Sequence, residues 1–366
     1  MAADGHAPRV LLLTSGPLDV QDGAEAELAM ALARTMPEVE YWWVRRWPGR
    51  KRPDVASLGR SVPIMSRAGA GALPEQLQVA AAGAWMARRV DLVHAVLTIG
   101  PGFPAFSRRW PPLIRGRPVL HTVPGITDPA LLARCRPLGP TVALSEVTAR
   151  ALGSAGFGDV RVIGPTIRLD QWPLRPRPVR DPPIILATGR HDPDGGAHEA
   201  IACAAVAARA GARFQLILAV QGRSGQDVRP LERALHARAA QEGLHATEVL
   251  GRVENLPRLL AVSDVVLHLP RALGGGPDVP SIVLKALATG RPVILSDLPQ
   301  FAPLKDTVLR APAQDANRSG HLLLELLDRP WWWEKLTERG RVTVEERFGP
   351  RRFRSQYAEL YRRLLG

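Results

Sequence analysis

Cysteine is almost missing from this 366-residue chain: Cys135 and Cys203 are the only two, with no paired spacing. That excludes a disulfide framework and leaves no recognisable metal-ligand set. Long apolar runs are missing too. The first, Val10–Leu13, is too short for the apolar region of a signal peptide and far too short to span a bilayer, so a cytoplasmic protein is expected. Lysine is scarce, since nearly all of the 48 basic residues are Arg. Together with abundant Ala, Gly and Pro, that is a composition GC-rich coding can produce by itself.

Acidic residues are also in deficit. The formal net charge is +13 with a pI near 11.0, which implies an acidic partner: a phosphorylated substrate, an anionic membrane or nucleic acid. Residues 1 to 180 hold 23 Lys and Arg against 14 Asp and Glu, a balance of +9 that leaves +4 for the remainder. No nucleic-acid-binding motif accompanies the charge, which makes that partner the least favoured. The 46% hydrophobic and 23% charged fractions are those of a soluble globular protein, and the length allows two domains.

Apolar runs such as Val10–Leu13, Asp91–Val96 and Pro118–Val123 alternate with helical periodicity and predict a doubly wound domain. Six prolines between Pro165 and Pro183 mark a join, and Ile184–Arg190 opens a second series of the same kind. Within it, Leu273–Asp297 reads as loop, helix and strand without a break. Gly274, Gly275 and Gly276 allow close backbone approach, and Asp278, Pro280 and Ser281 are residues that start helices. A glycine loop feeding a helix N-terminus suits an anion. In the first half, Tyr41–Arg52 sets three Trp among five cations, and Phe106–Arg117 repeats the combination. Trp and Arg suit a lipid headgroup layer. Trp43, Arg46, Trp47, Arg50, Arg108 and Trp110 are therefore candidates for an acceptor or membrane face, beside a plainer reading of Tyr41–Val44 as a core strand.

These stretches resemble the retaining glycosyltransferases of family 4, which have the two-domain GT-B fold. Lys285–Val293 matches the end of the family's nucleotide-sugar motif, but its two glutamate positions are Pro277 and Lys285. Gly189 and Arg190 match the start of the diphosphate clamp, whereas the clamp lysine is Gly195. Gly23 matches the first loop, with Asp22 in place of a glycine. A Thr-x-His tripeptide becomes Thr122–Pro124, so the family histidine position is a proline. His121, just before it, is the candidate in its place, although strand alternation points it the other way and a structural histidine is the plainer reading.

The resemblance implies an α/β GT-B-like fold of two Rossmann-like domains facing across a cleft. Residues 1–165 would be the acceptor-side domain, 166–183 a linker, 184–345 the nucleotide-sugar domain and 346–366 a helix crossing back. It implies Arg190 and His121 as catalytic candidates, and Gly23, Gly189, Gly276, Asp278, Ser281 and Lys285 as donor-binding ones. The nucleotide sugar would be a co-substrate, with no cofactor and no metal. Transfer to a lipid-linked or other anionic acceptor, with peripheral membrane contact, is the expected function. The altered donor motif keeps a second expectation open, a non-catalytic scaffold or regulator of the same fold. Lys285 lies one turn after Ser281 and would add positive charge at a phosphate, unless Asp278 or Asp297 pairs with it. Asp278 as an N-cap would put a carboxylate where the phosphate belongs.

Overall fold

The computed structural model describes residues 7–19, 23–47, 58–65, 73–222, 227–251 and 253–366. They form two compact units. The first comprises residues up to Thr166 with Gly274–Asp278 and Pro350–Gly366, and the second Ile167–Leu273 with Val279–Gly349.

In the first unit the chain runs β1 (Arg9–Leu13), α1 (Ala24–Thr35), β2 (Glu40–Trp47), β3 (Arg60–Met65), α2 (Leu73–Ala87), β4 (Leu92–Val96), α3 (Phe103–Arg109), β5 (Val119–Val123), β6 (Thr141–Ala143), α4 (Glu146–Ser154) and β7 (Val160–Val162). The sheet order is β3-β2-β1-β4-β5-β6-β7, all parallel. Strands covered on both faces read as unbroken apolar runs, and in β1 only Arg9 reaches solvent.

The second unit holds β8 (Ile184–Arg190), α5 (Ala197–Arg209), β9 (Gln215–Gln221), α6 (Arg229–Gln241), β10 (Thr247–Leu250), α7 (Leu256–Val262), β11 (Val265–His268), α8 (Ser281–Thr289), β12 (Val293–Ser296), β13 (Leu309–Ala311), α9 (Ala316–Asp328) and α10 (Pro330–Arg347). Its parallel sheet runs β10-β9-β8-β11-β12-β13, so the order reverses between β8 and β11. In open α/β sheets that switch point, at the carboxyl ends of the strands, is where ligands bind.

The last helix, α11 (Pro350–Leu365), buries Phe353, Tyr357, Leu360 and Tyr361 in the same core as Val10, Leu12, Tyr41 and Trp43. A polar seam fixes it. His94 Nδ1 meets the Tyr361 hydroxyl at 2.7 Å, His94 Nε2 meets Thr122 Oγ1 at 2.8 Å, and Thr122 Oγ1 meets the Tyr357 hydroxyl at 3.1 Å. Burial pushes His94 down to about 3, so the ring is neutral and donates from only one nitrogen.

The proline-rich stretch after Thr166 is strapped to the second unit. Arg291, fully buried, donates from Nη2 to the carbonyls of Arg175 and Pro176, each at 2.7 Å, and from Nη1 to Ser263 at 3.2 Å. Arg341 Nη1 holds the carbonyl of Trp172 at 3.0 Å and that of Ala288 at 2.8 Å.

Candidate functional site

In the second unit the candidate residues lie at the carboxyl end of β8 and in the segment after β11. The turn after β8 is closed by Arg190 N donating to the Gly195 carbonyl at 3.1 Å and Gly195 N to that of Asp192 at 2.9 Å. Glycines make this closure possible: a Cβ on Gly189 would stand 2.2 Å from the Gly195 oxygen. Gly196, at φ 92°, begins α5, and a Cβ there would stand 2.6 Å from the Leu269 carbonyl carbon, too near to fit without displacing that backbone. Arg190 is half-buried. Its Nε donates to Asp192 Oδ2 at 2.9 Å and its Nη1 to the Leu273 carbonyl at 3.0 Å, which ties β8 to the start of the segment leading to α8. Where the family pattern has a second cation at position 195, this turn instead supplies a carboxylate, Asp192, to the one cation it keeps.

Helix α8 begins at Ser281 with Pro280 as its N-cap, no side-chain cap and no acid in its first turn. Its first amides thus lack a side-chain acceptor at the cap, the condition for holding an anion. Lys285 Nζ donates to Ser281 Oγ at 3.1 Å and lies 5.6 Å from the centre of the Trp172 ring. Asp297 is taken by Arg310 at 2.6 Å.

Asp278 is a correction. It does not cap α8. It is buried in the first unit, where it accepts from Ser145 Oγ at 2.7 Å, and Ser145 in turn caps α4 by accepting from Thr148 N at 3.2 Å. Burial raises its pKa, partly offset by Ser145 and Thr148. Gly276 is likewise held against protein: a Cβ on Gly125 would come within 2.3 Å of its carbonyl oxygen. The close approach these glycines permit is to residues 124–127 of the first unit, not to open space.

His121 is a second correction. The ring is fully buried, stacked on Phe103 at 5.0 Å, with Nε2 on the Leu97 carbonyl at 3.1 Å, and burial pushes it down to about 4. A substrate cannot reach it. Thr122, the next residue, points to the opposite face and the His94 seam, as strand alternation requires. Gly23, at φ 120°, precedes α1, and no atom lies within 4 Å of where its Cβ would stand. Two residues on, Glu25 accepts from Ser15 N and Thr98 N, each at 2.8 Å, and so binds the loops after β1 and β4 together.

The proposed membrane face breaks up. Trp43 is 1% and Trp110 2% exposed, both core residues, and Trp110 Nε1 donates to the Ala80 carbonyl at 2.9 Å. Arg46 is ion-paired with the buried Glu75. Trp47 and Arg108 are exposed, while Arg50 lies outside the described residues. The sequence reading missed His191, which follows Arg190. It is buried, neither ring nitrogen makes a hydrogen bond of ordinary geometry, and burial lowers its pKa against the pull of Glu232. Its place directly after the strand-end arginine was the available signal.

Residues 182–329 match the family model described as glycosyl transferases group 1. No curated protein matches the chain. Among solved structures, the Anabaena protein HepE in complex with UDP-glucose is 15% identical, covers 96% of this chain and 99% of its own, and has a TM-score of 0.77. Sucrose-phosphate synthase from Thermosynechococcus elongatus is 19% identical over 98% of this chain and 99% of its own, with a TM-score of 0.77. A Rickettsia africae glycosyltransferase is 14% identical, covering 99% of both chains with a TM-score of 0.74. The fold is GT-B. Two Rossmann-like units, each a parallel sheet flanked by helices, make the chain glycosyltransferase-like in architecture. Among the described residues of this GT-B chain, no group of three or more His, Cys, Asp or Glu could hold a metal ion, and no helix is long and apolar enough to cross a membrane.

Proposed function

We propose that the protein transfers a sugar, with retention, from a nucleotide-sugar donor to a lipid-linked or other anionic acceptor. The domain from 184 to 345 would hold the donor, residues 1–165 would form the acceptor side, and 346–366 would close back on the latter. The observation that carries this reading is the uncapped, acid-free start of α8, with Lys285 folded onto Ser281, in the connection after β11, whose sheet neighbour β8 ends in Arg190. That HepE was solved with UDP-glucose supports a nucleoside diphosphate as the leaving group.

The chemistry such a site performs is electrostatic. As the bond from the sugar to the diphosphate breaks, negative charge grows on the leaving oxygen, and the α8 amides and Lys285 stabilise it in place. Lys285 has no acceptor capacity, so it cannot take over the ribose-binding role of a glutamate at its position. Arg190 joins the phosphate site by exchanging its Asp192 partner for the ligand. Thermal-shift measurements against UDP, GDP, ADP and their glucose derivatives test the reading: one donor at 100 times its Kd should stabilise by about 2.7 kcal/mol. No shift with any donor would favour the second reading, a non-catalytic relative, for which the Arg190–Asp192 ion pair and the two replaced glutamate positions speak.

A further inference from the structure

Helix α2 is apolar on both sides. Its inner side, with Val79, Gly83, Ala84 and Met86, packs so closely on the sheet that a Cβ on Gly83 would stand 2.8 Å from Leu13 Cδ1. Its outer side carries Leu73, Leu77, Ala81 and Trp85, which at four-residue spacing form one stripe. Leu73 is 66%, Leu77 63% and Trp85 47% exposed, and Ala81 is exposed as well. A surface helix ordinarily places charge there. The turn Pro111–Ile114 packs against α2 and adds Leu113, 52% exposed.

Along the chain from this helix to Thr127, the charge is almost all of one sign. From Gln76 to Thr127 the only acid is Asp91, which is ion-paired with Arg9 at 3.0 Å. The same stretch holds Arg88, Arg89, Arg108, Arg109, Arg115 and Arg117, all exposed. Glu75, in the first turn of α2, is buried on Arg46 and leaves the outer side without a carboxylate. Arg89 lies 3.8 Å over the Trp85 ring, and Arg117 Nη2 donates to the Arg88 carbonyl at 3.4 Å, which brings the guanidiniums of Arg89 and Arg117 to the C-terminal end of the stripe, where Arg88 also lies exposed.

We propose that the outer face of α2, with the Pro111–Ile114 turn, docks on an anionic bilayer surface. Leucines and a tryptophan enter the interfacial layer, and arginines at its rim meet lipid phosphates. A second copy of the chain would set the same arginines against one another, which opposes self-association through this face. The inference does not depend on donor chemistry. Trp85, on a helix whose outer side is open, takes the place that the sequence assigned to Trp43 and Trp110.

Sedimentation of the full chain with vesicles of phosphatidylcholine, with and without phosphatidylglycerol, tests it. Binding should require the anionic lipid and weaken with salt. Leu77→Gln with Trp85→Ser should reduce partitioning at least about tenfold, and Arg88→Gln and Arg117→Gln about fivefold each. Arg339→Gln, an exposed change in the second unit, should leave binding unchanged. All four target side chains are exposed, so thermal melts should match the unmodified protein. Equal binding to neutral vesicles, no binding, or variants that bind like the parent would overturn the proposal. So would a dimer in light scattering that the Leu77/Trp85 variant dissociates. Nucleotide-induced stabilisation of the same preparation reports the donor site separately.

Discussion

Replacing Arg291 with methionine keeps most of the stem volume and removes the cation, so its effect isolates the polar role of one buried side chain. Four carbonyl contacts end with it: Arg175 and Pro176 at 2.7 Å, Ser263 at 3.2 Å and Thr289 at 3.3 Å. Arg175 and Pro176 are exposed and can turn to water, and the Thr289 carbonyl keeps the Arg175 amide at 3.1 Å, but the Ser263 carbonyl is buried and loses its donor. That one buried carbonyl left without a donor costs about 1–3 kcal/mol. Asp264, itself buried and with its pKa raised by that burial, also loses a neighbouring positive charge. The sum, about 3–5 kcal/mol, is the usual cost of removing one partner from a buried charged cluster. For a unit of this size it should lower Tm by roughly 6 to 20 °C. Hydrogen exchange in β8 and β11 during urea titration would read the loss, and protease cutting near Val179 should accelerate as the strap lifts. Arg291→Lys should recover only part, because a point charge cannot span carbonyls on both sides. A change below about 1 kcal/mol for Arg291→Met would refute the assignment of the strap to this side chain.

Arg190→Ala should weaken nucleotide binding by about 1.5–3 kcal/mol in calorimetry if the guanidinium transfers from Asp192 to a phosphate; unchanged affinity would remove it from the site. Gly196→Ala should destabilise the second unit by more than about 1 kcal/mol in denaturant melts, because its Cβ would meet the Leu269 backbone. Acid should unfold the chain early. His94 at about 3, and His121 and His268 at about 4, lie below their unfolded value, so the unfolded chain binds more protons and their contribution, complete above about pH 6.5, is lost as pH falls toward 4. Stability in urea measured from pH 7 to 5 should fall by up to about 1.4 kcal/mol per pH unit for each ring; a flat profile would contradict their burial.

The two Rossmann-like sheets were legible because strands covered on both faces leave unbroken apolar runs between glycine and proline breaks. Alternation also foretold that His121 and Thr122 point apart. The local readings failed where a partner far along the chain decides. Asp278 sits where a helix cap is expected, yet it answers to Ser145, 133 residues away. Trp43 looked interfacial among arginines, but α11 shares its core from more than 300 residues downstream. Arg291 carried no local sign that it would gather carbonyls from residues 175 and 176.

The seam between His94, Thr122, Tyr357 and Tyr361 sets a schedule for synthesis. The first unit cannot complete its core until α11 has been made, and residues 167 to 349 come off the ribosome before it. At about 5–20 residues per second that interval is roughly 10 to 40 s. Throughout it, the groove awaiting Phe353, Tyr357, Leu360 and Tyr361 stands open beside His94 and Tyr41, and every strand of the second unit, the last ending at Ala311, is made before that groove is filled. In a nascent chain of this design the later half has all its residues before the earlier half does, and during the delay the earlier half exposes apolar surface of the kind that chaperones cover.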